Sequence, residues 1–415
     1  MARVDVLVLG AGIVGTSVAL HLVRRGLSVA LVDRRAPGEE TSYGNAGIIE
    51  GDTLFPPAFP NSFMGLLRVA LKQAPEANYH WNALLEVAPW LLAFRRNSTP
   101  ERLMDTALTM RPLFARAIAE HEALMAETDA TQFLRHTGWL KLFRKEASFA
   151  ACRRELDLAA SLGLPFDILG VDEAQAREPA IAPVFAHAVH WTRVATVTDP
   201  LAVTRAYADR FAALGGMLLT ADARSLHRSA SHWRVETAEG PVDGDQAVVA
   251  LGPFAPDVLE PLGLRLPFGF KRGYHRHYRQ AGGPALGHTL LDADFGYCLA
   301  PMAQGVRLTT GAEFARRDAP PTPVQFGRLL PAARELFPLG EPVEAEPWMG
   351  RRPCLPDSRP VIGRAPGQAG LWLTVGHAHW GLTLGPATGR LIAEMMAGET
   401  PFTDPAPFRA ERFAG

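Results

Sequence analysis

Two hydrophobic rhythms alternate along this chain. Val4–Leu9, broken only by Asp5, is a short valine- and leucine-rich run of the kind that forms a parallel strand covered on both faces. Thr16–Arg25 then repeats its apolar positions at helical spacing and stops at Gly26, a residue suited to a helix C-cap. Leu27–Val32 reads as a second covered strand. Helical spacing returns at Leu66–Leu71, Leu84–Phe94 and Ala387–Met396, the last closing near Gly398, while Trp139–Phe143 and Leu371–Val375 read as strands. Phe268–Tyr278 and Val306–Thr310 alternate apolar with polar, which suits a mixed or antiparallel sheet. The chain has no internal repeat and no low-complexity tract.

Composition narrows the possibilities. A chain of 415 residues with 47% hydrophobic content can bury two medium cores, so two lobes are expected. With 42 basic against 43 acidic residues, nucleic acid is excluded as the main partner and a small ligand is implied. Cys152, Cys298 and Cys354 lie far apart without a C-x-x-C pair, which suggests neither disulfides nor a metal site and fits a reducing, cytoplasmic setting. Val4–Val23 has about the length of a membrane span. Its glycines and the Arg24-Arg25-Gly26 turn into a second apolar run instead fit a buried strand and helix.

The chemistry starts where the first strand ends. Gly10-Ala11-Gly12-Ile13-Val14-Gly15 reads G-x-G-x-x-G between a strand and a helix, and Asp33 closes the second strand 23 residues beyond Gly10. Gly10 permits a tight turn, Gly12 lets backbone approach a pyrophosphate, and Gly15 allows close helix–strand packing. The helix start at Ile13 and Val14 offers amides to phosphates, and Asp33 can accept hydrogen bonds from a ribose. A bound dinucleotide follows; Arg34, next to the acid, joins the cofactor-contacting set, and with Arg35 it keeps a 2′-phosphate in play.

The segment after Asp33, Glu40-Thr41-Ser42-Tyr43-Gly44-Asn45-Ala46-Gly47-Ile48-Ile49, resembles the T-S-x-x-N-A-G loop of the FAD-dependent D-amino acid oxidase and dehydrogenase superfamily, closest to its bacterial D-amino acid dehydrogenase branch. Other landmarks resemble the family in the same order. Val194–Pro200 leads into a helix at Leu201–Leu214, Met217–Leu226 is similar to the strand that meets adenine near Ala223, and Ala247–Leu251 is similar to the strand ending at Gly252. Gly350–Gly363 is similar to G-L-R-P-x-x-P-D-x-x-P-x-x-G, with Arg351 replacing the usual leucine. Gly376-His377-Ala378-His379-Trp380-Gly381-Leu382-Thr383 resembles the segment whose helix start faces the flavin.

The resemblance implies an α/β fold: a Rossmann-type FAD-binding domain with a second, substrate-binding domain on a mixed or antiparallel sheet. The cofactor domain is expected from 1–52, 178–262 and 346–415, and the substrate domain from 53–177 and 263–345. It also implies FAD contacts at Ser42, Asn45, Ala46, Gly47, Ala223, Gly252, Gly376, Gly381, Leu382 and Thr383. Arg352 matches the family's carboxylate-binding arginine, Tyr274 its pocket tyrosine, and His377 a residue beside the flavin. Relatives that tether FAD at this end use a cysteine two positions before the site matched by Arg352; Gly350 stands there, which implies non-covalent FAD.

The expected reaction is oxidative deamination of a D-amino acid, by hydride transfer from Cα to flavin N5, with electrons leaving to a quinone or other carrier. Oxidation of glycine, sarcosine or a D-proline derivative is the first alternative, and an FAD-binding subunit of a larger electron-transfer complex the second. The apolar stretch 55–94, with Phe63, Leu66, Leu67, Trp81, Leu85, Trp90, Leu91, Leu92 and Phe94, has two readings: core of its own lobe, or a peripheral contact with the inner face of a membrane.

Overall fold

The computed structural model describes residues 2–51, 56, 58–60 and 63–413. Phe55 lies outside these residues, as do the side chains of Phe63 and Leu66. The N-terminal βαβ unit comprises the strand Ala2–Leu9, the helix Ile13–Val23 and the strand Val29–Asp33. The helix begins three residues before the Thr16 expected from its pattern, because Gly12 sits in extended backbone as the N-cap and Gly15 falls inside the first turn.

An eight-stranded sheet grows from this unit. Met217–Thr220, Val29–Asp33, Ala2–Leu9 and Gly240–Val249 run parallel, and Leu371–Val375 adds in parallel beside Ala247–Val249. His232–Thr237, His227–Ser229 and Val361–Arg364 pair antiparallel at its periphery. The strand expected over Met217–Leu226 stops at Thr220; Asp222 then accepts a hydrogen bond from the Arg224 amide and caps a short 3-10 turn.

One face of this sheet is closed by the helix Gly381–Ala397 lying on Ile13–Val23. Small residues let the two axes approach: a Cβ on Gly389 would come within 2.7 Å of the Ser17 backbone. Val6, Val8, Val18, Leu22, Leu384, Leu391 and Ile392 form the core between these layers. Gly398, in left-handed backbone, ends the helix.

The second sheet has eleven strands and is mixed, as expected. Its path runs Ala77–Tyr79, Ala312–Phe314, Gly269–Gln280, Gly305–Thr309, Tyr297–Met302, Thr289–Asp292, Trp139–Phe143, His187–Trp191, Phe166–Leu169. Most neighbours are antiparallel, but Thr289–Asp292 runs parallel to Trp139–Phe143. Several pairings cross the expected division of the chain. His187–Trp191 and Trp348–Cys354, expected with the cofactor domain, both belong to this second sheet. Short antiparallel strands Ile48–Glu50, Val194–Val197 and Leu134–Arg135 form a third sheet. Helices also form where expected at Phe63–Ala70 and Leu84–Arg96.

Candidate active site

A single cavity of about 910 Å³ joins residues from all these segments, near the upper end of the ~300–1,000 Å³ usual for small-molecule sites. Gly10, Gly12, Ile13, Val14, Asp33 and Arg34 line one end. Gly10 has φ +107°, and a Cβ there would lie 2.5 Å from the Ala250 carbonyl oxygen; one on Gly15 would lie 1.8 Å from that of Gly10. Gly15 therefore acts through packing and does not line the cavity. The N-cap Gly12 has no side chain to cap the helix and the first turn has no acid, which leaves the remaining amides of its positive end for an anion. Asp33 Oδ2 accepts from the Ala11 amide (2.8 Å) and Oδ1 from Arg35 (3.1 Å), so the carboxylate braces the turn while keeping lone pairs free. Arg34 stacks over Phe254 at 4.3 Å.

The loop after residue 40 is held to this turn by its own polar groups. Ser42 Oγ accepts from the Ile13 amide (2.9 Å), Asn45 Nδ2 donates to the Ser42 carbonyl (2.7 Å), and the Gly47 amide donates to Asn45 Oδ1 (2.8 Å). Arg307 donates to the carbonyls of Tyr43 (2.9 Å) and Asn45 (2.7 Å). Ser42, Asn45 and Ala46 line the cavity, whereas Gly47 turns the chain beneath it with φ +71°. Ala223 and Gly252 line another wall, and Gly381 and Leu382 bring the start of the long helix to the cavity. Gly376 and Thr383 do not line it. Gly376 packs against Leu355, while Thr383 Oγ1 donates to the Ile48 carbonyl (3.1 Å) and accepts from the Glu50 amide (3.3 Å).

At the far end stands Arg352, on a strand whose register places it opposite Lys271. Its guanidinium lies across Gly273, where a Cβ would come within 2.7 Å of both terminal nitrogens. Nη1 donates to the Gly311 carbonyl at 3.3 Å, and among the described residues no carboxylate pairs with it. Burial lowers its pKa, yet a guanidinium stays charged. Lys271 is buried as well, its ammonium 4.0 Å from the Phe94 ring and 5.6 Å from that of Trp90. Burial pushes the Lys271 pKa down, and Arg352 adds to the effect.

Two histidines line the same cavity in neutral form. His377 Nε2 is 3.0 Å from Thr388 Oγ1, and burial pushes its pKa down to about 4. His379 has a buried Nε2 without a partner, and burial, then Lys271 and Arg352, hold it well below the usual imidazole range. Glu50 completes the lining, with its pKa raised to about 7 by burial against the lowering effect of a hydrogen bond from the Trp380 indole.

Tyr274 is the residue expected as a pocket tyrosine. It borders the cavity, but its hydroxyl donates to Glu313 Oε2 (2.7 Å) and accepts from Arg272 Nη2 (3.0 Å) and the Thr322 amide (2.7 Å). With its one proton and both lone pairs engaged, the phenol has no capacity left for a substrate carboxylate. Strand parity is the cause: Lys271 and Gly273 turn toward the cavity, so Tyr274 turns away. Arg351 is equally occupied, donating from Nε to the Arg317 carbonyl at 2.9 Å. Lys271, Glu50 and His379 were not among the expected site residues. The signals available were a rare lysine on the Arg352-facing strand and an acid closing the apolar triplet Ile48-Ile49-Glu50.

Beside the cavity, Leu67, Leu71, Trp81, Leu85 and Leu92 are exposed, Leu85 at 92%. Among the described residues no helix is long and apolar enough to cross a membrane.

Residues 5–395 match a family described as FAD dependent oxidoreductase, DAO. The chain is 31% identical to the D-amino acid dehydrogenase of Chromohalobacter salexigens over 99% of its own length and 100% of the relative's. It is 29% identical to the D-amino-acid oxidase of Bradyrhizobium diazoefficiens, covering 98% of each. Among solved structures, glycine oxidase from Geobacillus kaustophilus superposes with a TM-score of 0.77 over 100% of both chains at 24% identity, a likeness of fold. The dinucleotide end of the cavity and the family match over nearly the whole length agree, and the chain belongs to the DAO family of FAD-dependent oxidoreductases.

Proposed function

We propose that this protein oxidises D-amino acids at Cα and passes the electrons to a quinone or another carrier. The observation that carries the reading is Arg352, a cavity-facing guanidinium with a single weak carbonyl contact and no carboxylate partner among the described residues. Its planar fork suits a carboxylate, which takes two parallel charge-assisted bonds. Lys271 adds a second positive charge on the neighbouring strand. The names of the two sequence relatives, both acting on D-amino acids, support that configuration.

The amides of Gly12 and Val14 would hold the diphosphate, that of Ile13 being taken by Ser42, and Asp33 would hold a ribose, with Arg34, Ala223 and Gly252 nearby; Ser42, Asn45, Ala46, Gly381 and Leu382 would flank the ring, with Gly15, Gly47, Gly376 and Thr383 shaping the backbone around it. FAD, when bound there, supplies the two-electron acceptor for the hydride that leaves Cα. The chain's own work is positioning. Arg352 fixes the carboxylate and so aims the Cα–H bond, while neutral His377 and His379 border the reacting region without adding charge. Loss of the hydride and of one amine proton leaves an imino acid, which water hydrolyses to a 2-oxo acid and ammonia. The cofactor is held without a covalent bond: Gly350, packed against the Trp348 ring, has no side chain with which to form a tether.

The exposed apolar residues beside the cavity favour a lipid-soluble acceptor reached at a membrane surface. Anaerobic titration of the yellow holoprotein with paired D- and L-amino acids, glycine and sarcosine tests the reading. D-amino acids are expected to bleach the flavin at lower concentration than the others; bleaching by none of the D series overturns it.

A further inference from the structure

Besides Arg352, the cavity carries an acid, Glu50, that is not needed for the chemistry described above. On the strand Ile48–Glu50, Ile49 is fully buried in the core with Met110 and Phe114, so Ile48 and Glu50 turn to the cavity. The position is rigid. Thr383 bridges the backbone of Ile48 and Glu50, Val194–Val197 pairs alongside, and a Cβ on Gly51 would lie 2.8 Å from the Arg193 carbonyl oxygen. The Glu50 carboxyl receives the Trp380 indole, and no cation pairs with it among the described residues. Lys141, on the same side of the large sheet, is already engaged with Glu155 at 2.8 Å.

Cys298 also lines the cavity: burial pushes its thiol up to about 11, Arg352 draws it down and Glu50 raises it further. The sheet gives the scale. The Arg352 guanidinium reaches the Gly311 carbonyl, two residues past Thr309, which pairs with Cys298 on the next strand. One strand spacing and two residues make roughly 8 Å from that carbonyl to the Cys298 backbone, and Glu50 lines the same cavity. An α-nitrogen lies only two bonds from its own carboxyl carbon, about 2.5 Å, and cannot span this gap. A nitrogen at the end of a lysine-length side chain lies about 6 Å further out and can.

We propose that Glu50 is a specificity-determining residue that receives a cationic side-chain nitrogen, so that the preferred substrates are amino acids with a basic side chain. The inference rests on the proposed function above, with Arg352 holding the carboxylate. A half-buried carboxyl with no cation beside it among the described residues is costly to ionise, and a substrate ammonium or guanidinium placed there favours the charged form.

The test compares D-lysine with D-norleucine, which has the same carbon chain and no terminal nitrogen, in the anaerobic reductive half-reaction of the holoprotein. D-lysine is expected to have an apparent Kd lower by about tenfold or more, the worth of one charge-assisted bond. In Glu50→Gln the ratio of the two Kd values should fall to near one, and Glu50→Asp should restore part of it. Equal Kd values in the wild type, or a ratio that Glu50→Gln leaves intact, would overturn the assignment. If Glu50→Gln lacks flavin, the wild-type comparison decides alone. D-alanine separates the two readings: bleaching by D-alanine without any preference for D-lysine removes only the role of Glu50, whereas no bleaching by any D-amino acid removes the proposed function itself.

Discussion

Replacing Arg352 by methionine keeps a long unbranched side chain and removes the charge. The wild-type guanidinium gives up little when substrate arrives, because its only hydrogen bond among the described residues is a 3.3 Å contact to the Gly311 carbonyl. Two parallel bonds to a carboxylate, each worth roughly 1.5–3 kcal/mol when charged, then replace water and that weak contact. Allowing for the cost of taking the carboxylate out of water, a net loss of about 3 kcal/mol is expected, or roughly 150-fold in kcat/KM. Gly273→Ala probes the same group without deleting it. The new Cβ would sit 2.7 Å from both terminal nitrogens and push the fork away by most of an ångström. Misplacement on that scale can cost on the order of a hundredfold when geometry carries the rate. Anaerobic stopped-flow reduction gives Kd and the rate of flavin bleaching for each variant, with flavin content and the melting curve as controls. A fully active Arg352→Met, or one that loses flavin together with activity, would refute the clamp.

Three further outcomes follow from the same structure. Gly15→Ala drives a methyl group to 1.8 Å from the Gly10 carbonyl, so the variant should fold with weakened flavin retention; a normal flavin-to-protein absorbance ratio after gel filtration would contradict the packing argument. Tyr274→Phe removes the donor to Glu313 and the acceptor of Arg272 and Thr322, and should cost about 1–3 kcal/mol of unfolding free energy in urea with little change in substrate Kd. A large Kd increase at unchanged stability would return the phenol to the pocket. Burial pushes His21 down to about 3, and His121 and His377 to about 4, so the folded state binds these protons less readily than the unfolded chain does. Stability is then full above pH 6.5 and declines as pH falls toward 4, by roughly 3 kcal/mol for His121 alone; equal urea midpoints at pH 7 and pH 5 would sink this account.

What could be read in the sequence and what could not divides along a physical line. The N-terminal unit was legible because each of its signals is local: covered-strand runs, a glycine spacing and an acid at the end of the second strand. The helix start moved to Ile13 because tertiary packing of Gly15 on Gly10 overrides the low helix propensity of glycine. Sheet membership was a different matter. His187–Trp191 and Trp348–Cys354 joined the eleven-stranded sheet through partners that no local pattern names, the second through the register that sets Lys271 opposite Arg352.

The same line separates the side chains. Ser42, Asn45 and Gly47 were legible because they act mainly on backbone, and a backbone motif keeps its meaning wherever it is read. Arg352 and Tyr274 depended on which face of a strand looks into the cavity, and a shift of one residue exchanges the two faces. Reading outward from Arg352 by pairing gives Lys271, and by alternation Gly273, so Tyr274 had to lie on the far face with Arg272 and Glu313. The identical argument applied to Ile48-Ile49-Glu50 starts from the one residue that must be core: with Ile49 fixed inside, an acid is obliged to enter the cavity. Parity anchored on a single buried position is therefore the step that turns a strand from a pattern into a list of which side chains can reach a ligand.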